Sequence, residues 1–275
     1  MSNDRIFKGH RAPFPGSIMV AVRTGGVGKT LLAQVLHYLV FERLGYDLNL
    51  VSLDVADDKS TSKLKKFLPE TQDIRFTPSM SELMQDPAVS VGHFDQVAAL
   101  LARPGHLLDL GANVSPVLFS WSEHAGIDPV YGRLQPITLV VPVVAHSQAI
   151  GDAITVIEDA RRFAEFLPVK KVIVVYNERD GGFSGEIGGF VKLRAMEAMG
   201  GQGFVCSIRL PRLVSEIWKK VQDRQMSFSD VVRANPHTLG IEFGMTTMAA
   251  GRGRRDIMEW LEAAGSSFQA AGILP

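Results

Sequence analysis

"SIMVAVRTGGVGKTLLAQVL", Ser17–Leu36, is the stretch from which the rest of the chain can be read. An apolar run from Ile18 to Val22 gives way to a glycine-rich turn. The turn opens onto Leu31, Leu32, Val35, Leu36, Leu39, Val40 and Leu44, which repeat at helical spacing until Gly45 stops them. Glycines tolerate positive φ and let an anion come close to backbone N–H groups, so Gly25, Gly26 and Gly28 suit a phosphate cradle. The helix N-terminus adds partial positive charge beneath it; Lys29 would reach the outer phosphates and the Thr30 hydroxyl would ligate Mg2+. A bare strand-to-helix turn does not need the Lys-Thr pair. Arg23 nevertheless stands where the pattern G-x-x-x-x-G-K-S/T wants its first glycine.

Outward from this stretch, short apolar runs alternate with helical ones. Strands are expected at Ile18–Val22, Leu48–Leu53, His106–Leu110, Ile137–Val144, Lys171–Tyr176 and Phe204–Leu210. They are nearly all apolar, as parallel strands covered on both faces are. Helices are expected in "HSQAIGDAITVIEDARRFAEFL" and "RLVSEIWKKVQDRQ", and a short one in the tail, "RRDIMEWLEAAG". The fold class that follows is α/β, a doubly wound, mainly parallel sheet with helices on both faces. Residues 1–16 read as a lead-in, 17–235 as the main domain and 236–275 as a helical extension packed on it.

Composition removes several functional classes. The 275 residues are 46% apolar, enough for a full core, and no run approaches the ~20 apolar residues of a membrane span. The start, "MSNDRIFKGHRAPFPG", lacks the apolar middle of a signal peptide, so a soluble, cytoplasmic protein is expected. Cys206 alone cannot make an intramolecular disulfide or a thiolate zinc site, and it reads as a core residue. The seven histidines are scattered without ligand spacing. Lys+Arg and Asp+Glu balance at 29 each, so nucleic acid is possible as a partner but not indicated by charge. The basic clusters "KLKKF" and "RGRR" read as solvated faces.

Arg23 fits a variant loop. "RTGGVGKT" resembles the deviant Walker A segment of the ParA/MinD family of P-loop ATPases, x-K-G-G-x-G-K-S/T, which needs no glycine at the first position. The family's signature lysine, which reaches a dimer partner's nucleotide, falls on Thr24; the second hydroxyl after the Lys-Thr pair is replaced by Leu31. The resemblance spans roughly Ile18 to Val232. "LNLVSLDVADDKST" is similar to switch I, with Ser52 at its first aspartate and Asp54 at the one that orients the attacking water. "HLLDLGANVSP" is similar to Walker B and switch II, implying Asp109 as a Mg2+ ligand through water and Gly111 near the γ-phosphate. Asn177 in "VIVVYNERD" and Pro211 in "CSIRLPRL" match the residues beside the adenine. The implied cofactors are ATP/ADP and Mg2+. Lys29 and Asp54 are the catalytic candidates, and Gly25, Gly26, Val27, Gly28, Lys29, Thr30, Leu31, Asn177 and Pro211 the cofactor-binding ones. Thr30 and Asp109 are the metal candidates.

Within that superfamily, iron–sulfur members need cysteines that Cys206 cannot supply. Tyrosine kinases carry a tyrosine-rich tail, whereas Tyr38, Tyr46, Tyr131 and Tyr176 all precede the tail here. The resemblance therefore implies an ATP-driven switch, with a homodimer and a protein that stimulates or reads its ATP state. It would serve DNA segregation, conjugal transfer or mobilisation, or intracellular positioning; "LLDLGANVSPVLFSWSEHAGID" has the look of the conjugal-transfer and plasmid-stability branch. Two other readings stay open: a nucleotide-holding scaffold or regulator of a secretion or polysaccharide complex that does not turn over, and an ATP-dependent small-molecule enzyme. The tail helix is expected to dock on the core, since its acidic residues offset its arginines and a lipid-binding face would be basic.

Overall fold

The computed structural model describes residues 11–55, 60–75, 89–112, 114–125, 134–199 and 203–274. Among them, seven strands form one sheet: β1 Ser17–Val20, β2 Asn49–Val55, β3 Gln72–Arg75, β4 His106–Leu110, β5 Ile137–Val143, β6 Val169–Asn177 and β7 Val205–Leu210. The spatial order is β3-β2-β4-β1-β5-β6-β7, and every pairing is parallel. The helices are α1 Lys29–His37, running into a π-helical turn at Tyr38–Arg43, α2 Lys63–Phe67, α3 Val89–Leu101, α4 Val114–Ala125 and α5 Ser147–Arg162. They continue as α6 Phe190–Met199, α7 Trp218–Asp223, α8 Phe228–Arg233, α9 Pro236–Phe243 and α10 Thr247–Ala270. The expected α/β sheet with helices on both faces is what forms.

Strand side chains alternate between two cores because successive Cβ atoms point to opposite faces. Met19, Val51, Leu53, Leu108 and Leu110 pack with α3 to α6 residues such as Phe94, Phe119 and Ile150 on one side. Ile18, Val20, Leu50, Leu107 and Ile173 pack with Leu32, Leu36, Phe228, Ile257 and Phe268 on the other. The apolar strand character read from the sequence is therefore the signature of burial on both faces.

Three expectations need correction, and one strand was not expected. β3 went unread because "QDIR" is a four-residue edge strand in which only Ile74 is buried. The helix expected over "RLVSEIWKKVQDRQ" forms only at Trp218–Asp223; upstream, the Ser215 hydroxyl donates to the Gly253 carbonyl at 2.8 Å and pins the segment to α10. The short tail helix is in fact 24 residues long, capped by the Thr246 side chain. Cys206 is half-buried, at the edge of the second core rather than within it.

The cluster "RGRR" is also more engaged than a solvated face. Arg254 Nε donates to the Val232 carbonyl at 3.1 Å, and Arg252 pairs with Glu216 at 3.2 Å. A Cβ on Gly253 would lie 2.8 Å from Ile217, so α10 approaches as closely as a glycine allows. Among the described residues no helix is long and apolar enough to cross a membrane.

Candidate functional site

Five strands deliver the sequence-derived candidates to one edge. In an open parallel sheet the crevice outside the carboxyl ends of the strands is where ligands bind. The glycine loop follows β1, Asp54 and Asp109 lie near the ends of β2 and β4, Asn177 ends β6, and Pro211 follows β7. A cleft of about 710 Å3 opens there, lined by Gly25, Gly26, Gly28, Lys29, Thr30 and Leu31 along the loop. Asp54, Asn177 and Pro211 also line it. That is within the ~300–1,000 Å3 typical of small-molecule sites.

The loop is built as its glycines require. Gly26 and Gly28 have φ of 72° and 101°, and a Cβ on Gly28 would come 2.8 Å from Asn177 Nδ2. Val27 differs from its neighbours: its side chain is buried in the first core, so only its backbone is part of the loop. Lys29 Nζ donates to the Thr24 and Val22 carbonyls at 3.0 and 3.3 Å, folding over the loop it belongs to. Burial lowers its pKa, while Asp109 and Asp54 act to raise it.

Asp109 is 2% exposed, and the Thr30 hydroxyl donates to its Oδ2 at 3.1 Å. Burial pushes its carboxyl from 3.8 up to about 7; the Thr30 hydrogen bond and Lys29 oppose the rise, and the Asp54 charge adds to it. A buried carboxylate of this kind, bonded to a hydroxyl that itself lines the cleft, fits a dication reached through water whose remaining ligands are water and phosphate oxygens. Gly111 connects the two aspartate-bearing ends: its N–H donates to the Leu53 carbonyl at 3.2 Å, and a Cβ there would lie 2.8 Å from Asp54 Oδ1. Ala56–Lys59 and Asn113, which complete the two switch-like segments, lie outside the described residues.

A pH effect follows from Asp109. Its folded value stands above its unfolded one, so the folded chain holds more protons between them. The associated stability is complete below about 4 and is lost as pH rises through about 7. Without nucleotide or Mg2+, the melting temperature of the wild type should therefore fall from pH 5 to pH 8 more steeply than that of Asp109→Asn, which cannot ionise there. Parallel curves for the two would contradict the assignment.

Arg23 and Thr24 point away from the cleft into α5. Arg23 pairs with Asp159 at 2.9 Å, and the Thr24 hydroxyl donates to Asp152. Asn177 is held from two sides: its Nδ2 donates to the Val27 carbonyl at 3.1 Å and its Oδ1 accepts the Arg179 N–H at 3.3 Å. The residue matched to an adenine contact thus ties β6 to the loop.

Sequence reasoning missed Lys63, Arg179, Asp180, Arg212, Trp218, Gln222 and Trp260, which also line the cleft. "KLKKF" carried a charge signal for Lys63. Trp218 and Trp260 carried none, because an aromatic at helical spacing reads as core.

No family model matches the chain, and no curated protein matches it in sequence. Among solved structures, an ATP complex of a McdA variant from Cyanothece is 11% identical, covering 92% of this chain and 98% of that one, with a TM-score of 0.43. The apo form of McdA is 12% identical, covering 88% and 99%, with a TM-score of 0.46. The cell division protein FtsY of Thermotoga maritima is 20% identical, covering 71% and 61%, with a TM-score of 0.37. A glycine loop follows the central strand β1, and a buried aspartate lies near the end of the adjacent parallel strand β4, so the architecture is a doubly wound α/β sheet with a P-loop-like segment at its carboxyl edge.

Proposed function

We propose that the cleft binds ATP with Mg2+ and that the chain is an ATPase acting as a nucleotide-dependent switch of the ParA/MinD type. The observation that carries this reading is the convergence of the loop, Lys29, Thr30 and Asp54 on one cleft, with the buried Asp109 behind it on the Thr30 hydroxyl. The amides of Gly25 to Thr30 would hold the phosphates, with Lys29 exchanging its two carbonyl partners for phosphate oxygens. Thr30 and Asp109 would hold the dication, which when bound neutralises phosphate charge. Asp54 is exposed at the end of β2, where it can orient a water and accept its proton.

Coupling would run through Gly111, whose contact with Leu53 and Asp54 joins the ends of β2 and β4, so that a change in phosphate occupancy is felt by both. The biological setting we favour is DNA segregation, conjugal transfer or mobilisation, or intracellular positioning, with a homodimer and a stimulating partner protein. A second reading, nucleotide-holding without turnover, gains support from Thr24, whose hydroxyl is engaged by Asp152 of its own chain.

Turnover decides between them. Asp54→Ala should bind ATP nearly as well as the wild type and hydrolyse it at least ten-fold more slowly, since the aspartate acts on the transition state and not on bound ATP. Steady-state phosphate release with equal rates in the two proteins would reduce Asp54 to a strand-end carboxylate. A wild type that binds ATP but releases no phosphate, with or without a partner, would favour the second reading.

A further inference from the structure

Beyond the phosphate end, the cleft contains an aromatic wall. Trp218 stacks on the buried Phe228 with ring centroids 5.7 Å apart and planes 4° from parallel. Phe228 in turn stacks on Trp260 at 6.0 Å and 28°. Trp260 is fixed in place by its indole N–H, which donates to the Pro211 carbonyl at 2.8 Å. Trp218 is therefore a rigid plate, supported from behind and partly exposed in the cleft wall. It also lines an adjoining recess of about 180 Å3 with Leu31, Lys63 and Phe67.

The polar groups nearby differ in how they are engaged. Asn177 is 2% exposed and already committed to Val27 and Arg179. Arg179 pairs with Asp180 at 2.9 Å. Arg212 and Gln222, by contrast, are exposed cleft residues whose side chains have no hydrogen-bond or ion-pair partner among the described residues. A flat hydrophobic plate flanked by a free guanidinium and a free amide suits a planar heteroaromatic ring, which offers a π-face to the indole and acceptors and donors at its edge.

We propose that Trp218, backed by Phe228, is the stacking platform for the base of the bound nucleotide, with Arg212 and Gln222 at the base edge. This rests on the nucleotide reading of the cleft and adds which residues hold the end remote from the phosphates.

The test is equilibrium binding of two probes, ATP and inorganic tripolyphosphate, both with Mg2+, to the wild type, Trp218→Ala, Trp218→Leu, Trp218→Phe and Lys29→Ala. Base stacking on an aromatic residue is commonly worth about ten-fold in affinity. Trp218→Ala and Trp218→Leu should each weaken ATP by roughly ten-fold and leave tripolyphosphate unchanged. Trp218→Phe should recover most of the loss, and Lys29→Ala should weaken both probes. Trp218→Leu keeps an apolar contact with Phe228, so it reports on the platform even if the alanine variant folds poorly. ATP affinity unchanged in Trp218→Leu while Lys29→Ala loses both probes would remove the platform alone. Equal loss of both probes in Trp218→Leu would make Trp218 a structural residue and overturn the proposal. A wild type that binds neither probe would remove the nucleotide reading and the platform together.

Discussion

Lys29→Ala should lose ATP binding by a hundred-fold or more. The substitution removes a cation from a part-buried position beside two carboxylates, the group that would turn from the Val22 and Thr24 carbonyls to the phosphate oxygens. A charge-assisted contact in a partly desolvated site is worth about 3 kcal/mol, which is the size of that loss. Titration with a labelled ATP analogue reads it directly, and unchanged affinity in a folded variant would remove the P-loop reading.

How much of this was legible in the sequence depends on the kind of signal. The loop could be read residue by residue, because positive φ at Gly26 and Gly28 and the helix start at Lys29 are local requirements that only a few residue types satisfy. Asp54 and Asp109 were legible as charges closing apolar strands. Their joining through Gly111 was not, because it depends on the pairing of β2 with β4, which lie far apart in sequence. β3 escaped notice because an edge strand needs only one buried side chain. Arg23 and Thr24 were legible as departures from a pattern, but their partners Asp152 and Asp159 lie on α5, more than a hundred residues away. Trp218 and Trp260 look like any core aromatic until the tail helix is placed beside the cleft.

That placement makes the second large effect. Deleting Arg254–Pro275 should leave a chain with no cooperative thermal transition. The segment buries Ile257, Trp260, Leu261, Phe268, Ile273 and Leu274 in the second core. At about 1.5–3 kcal/mol for each large apolar side chain, the loss is on the order of 10 kcal/mol, comparable with the whole stability of an ordinary domain. It would also remove the indole N–H donated to Pro211 and one wall of the cleft. We therefore propose that residues 236–275 belong to one folding unit with the sheet and are not a membrane anchor. Circular dichroism melts with and without the segment check the first part, and co-sedimentation with anionic liposomes checks the second. ATP-dependent lipid binding that disappears on deletion, with the melting temperature unchanged, would contradict both.

The central claim is that one cleft at the carboxyl edge of the sheet holds a nucleotide by its phosphates. A crystal structure of the full chain grown with Mg2+ and a non-hydrolysable ATP analogue tests it most directly. The expected result is a triphosphate lying along the Gly25–Thr30 amides, with Lys29 turned from the Val22 and Thr24 carbonyls to phosphate oxygens and a cation beside Thr30 and Asp109. A nucleotide bound elsewhere, or an empty cleft at saturating analogue with Lys29 still on its two carbonyls, would contradict it.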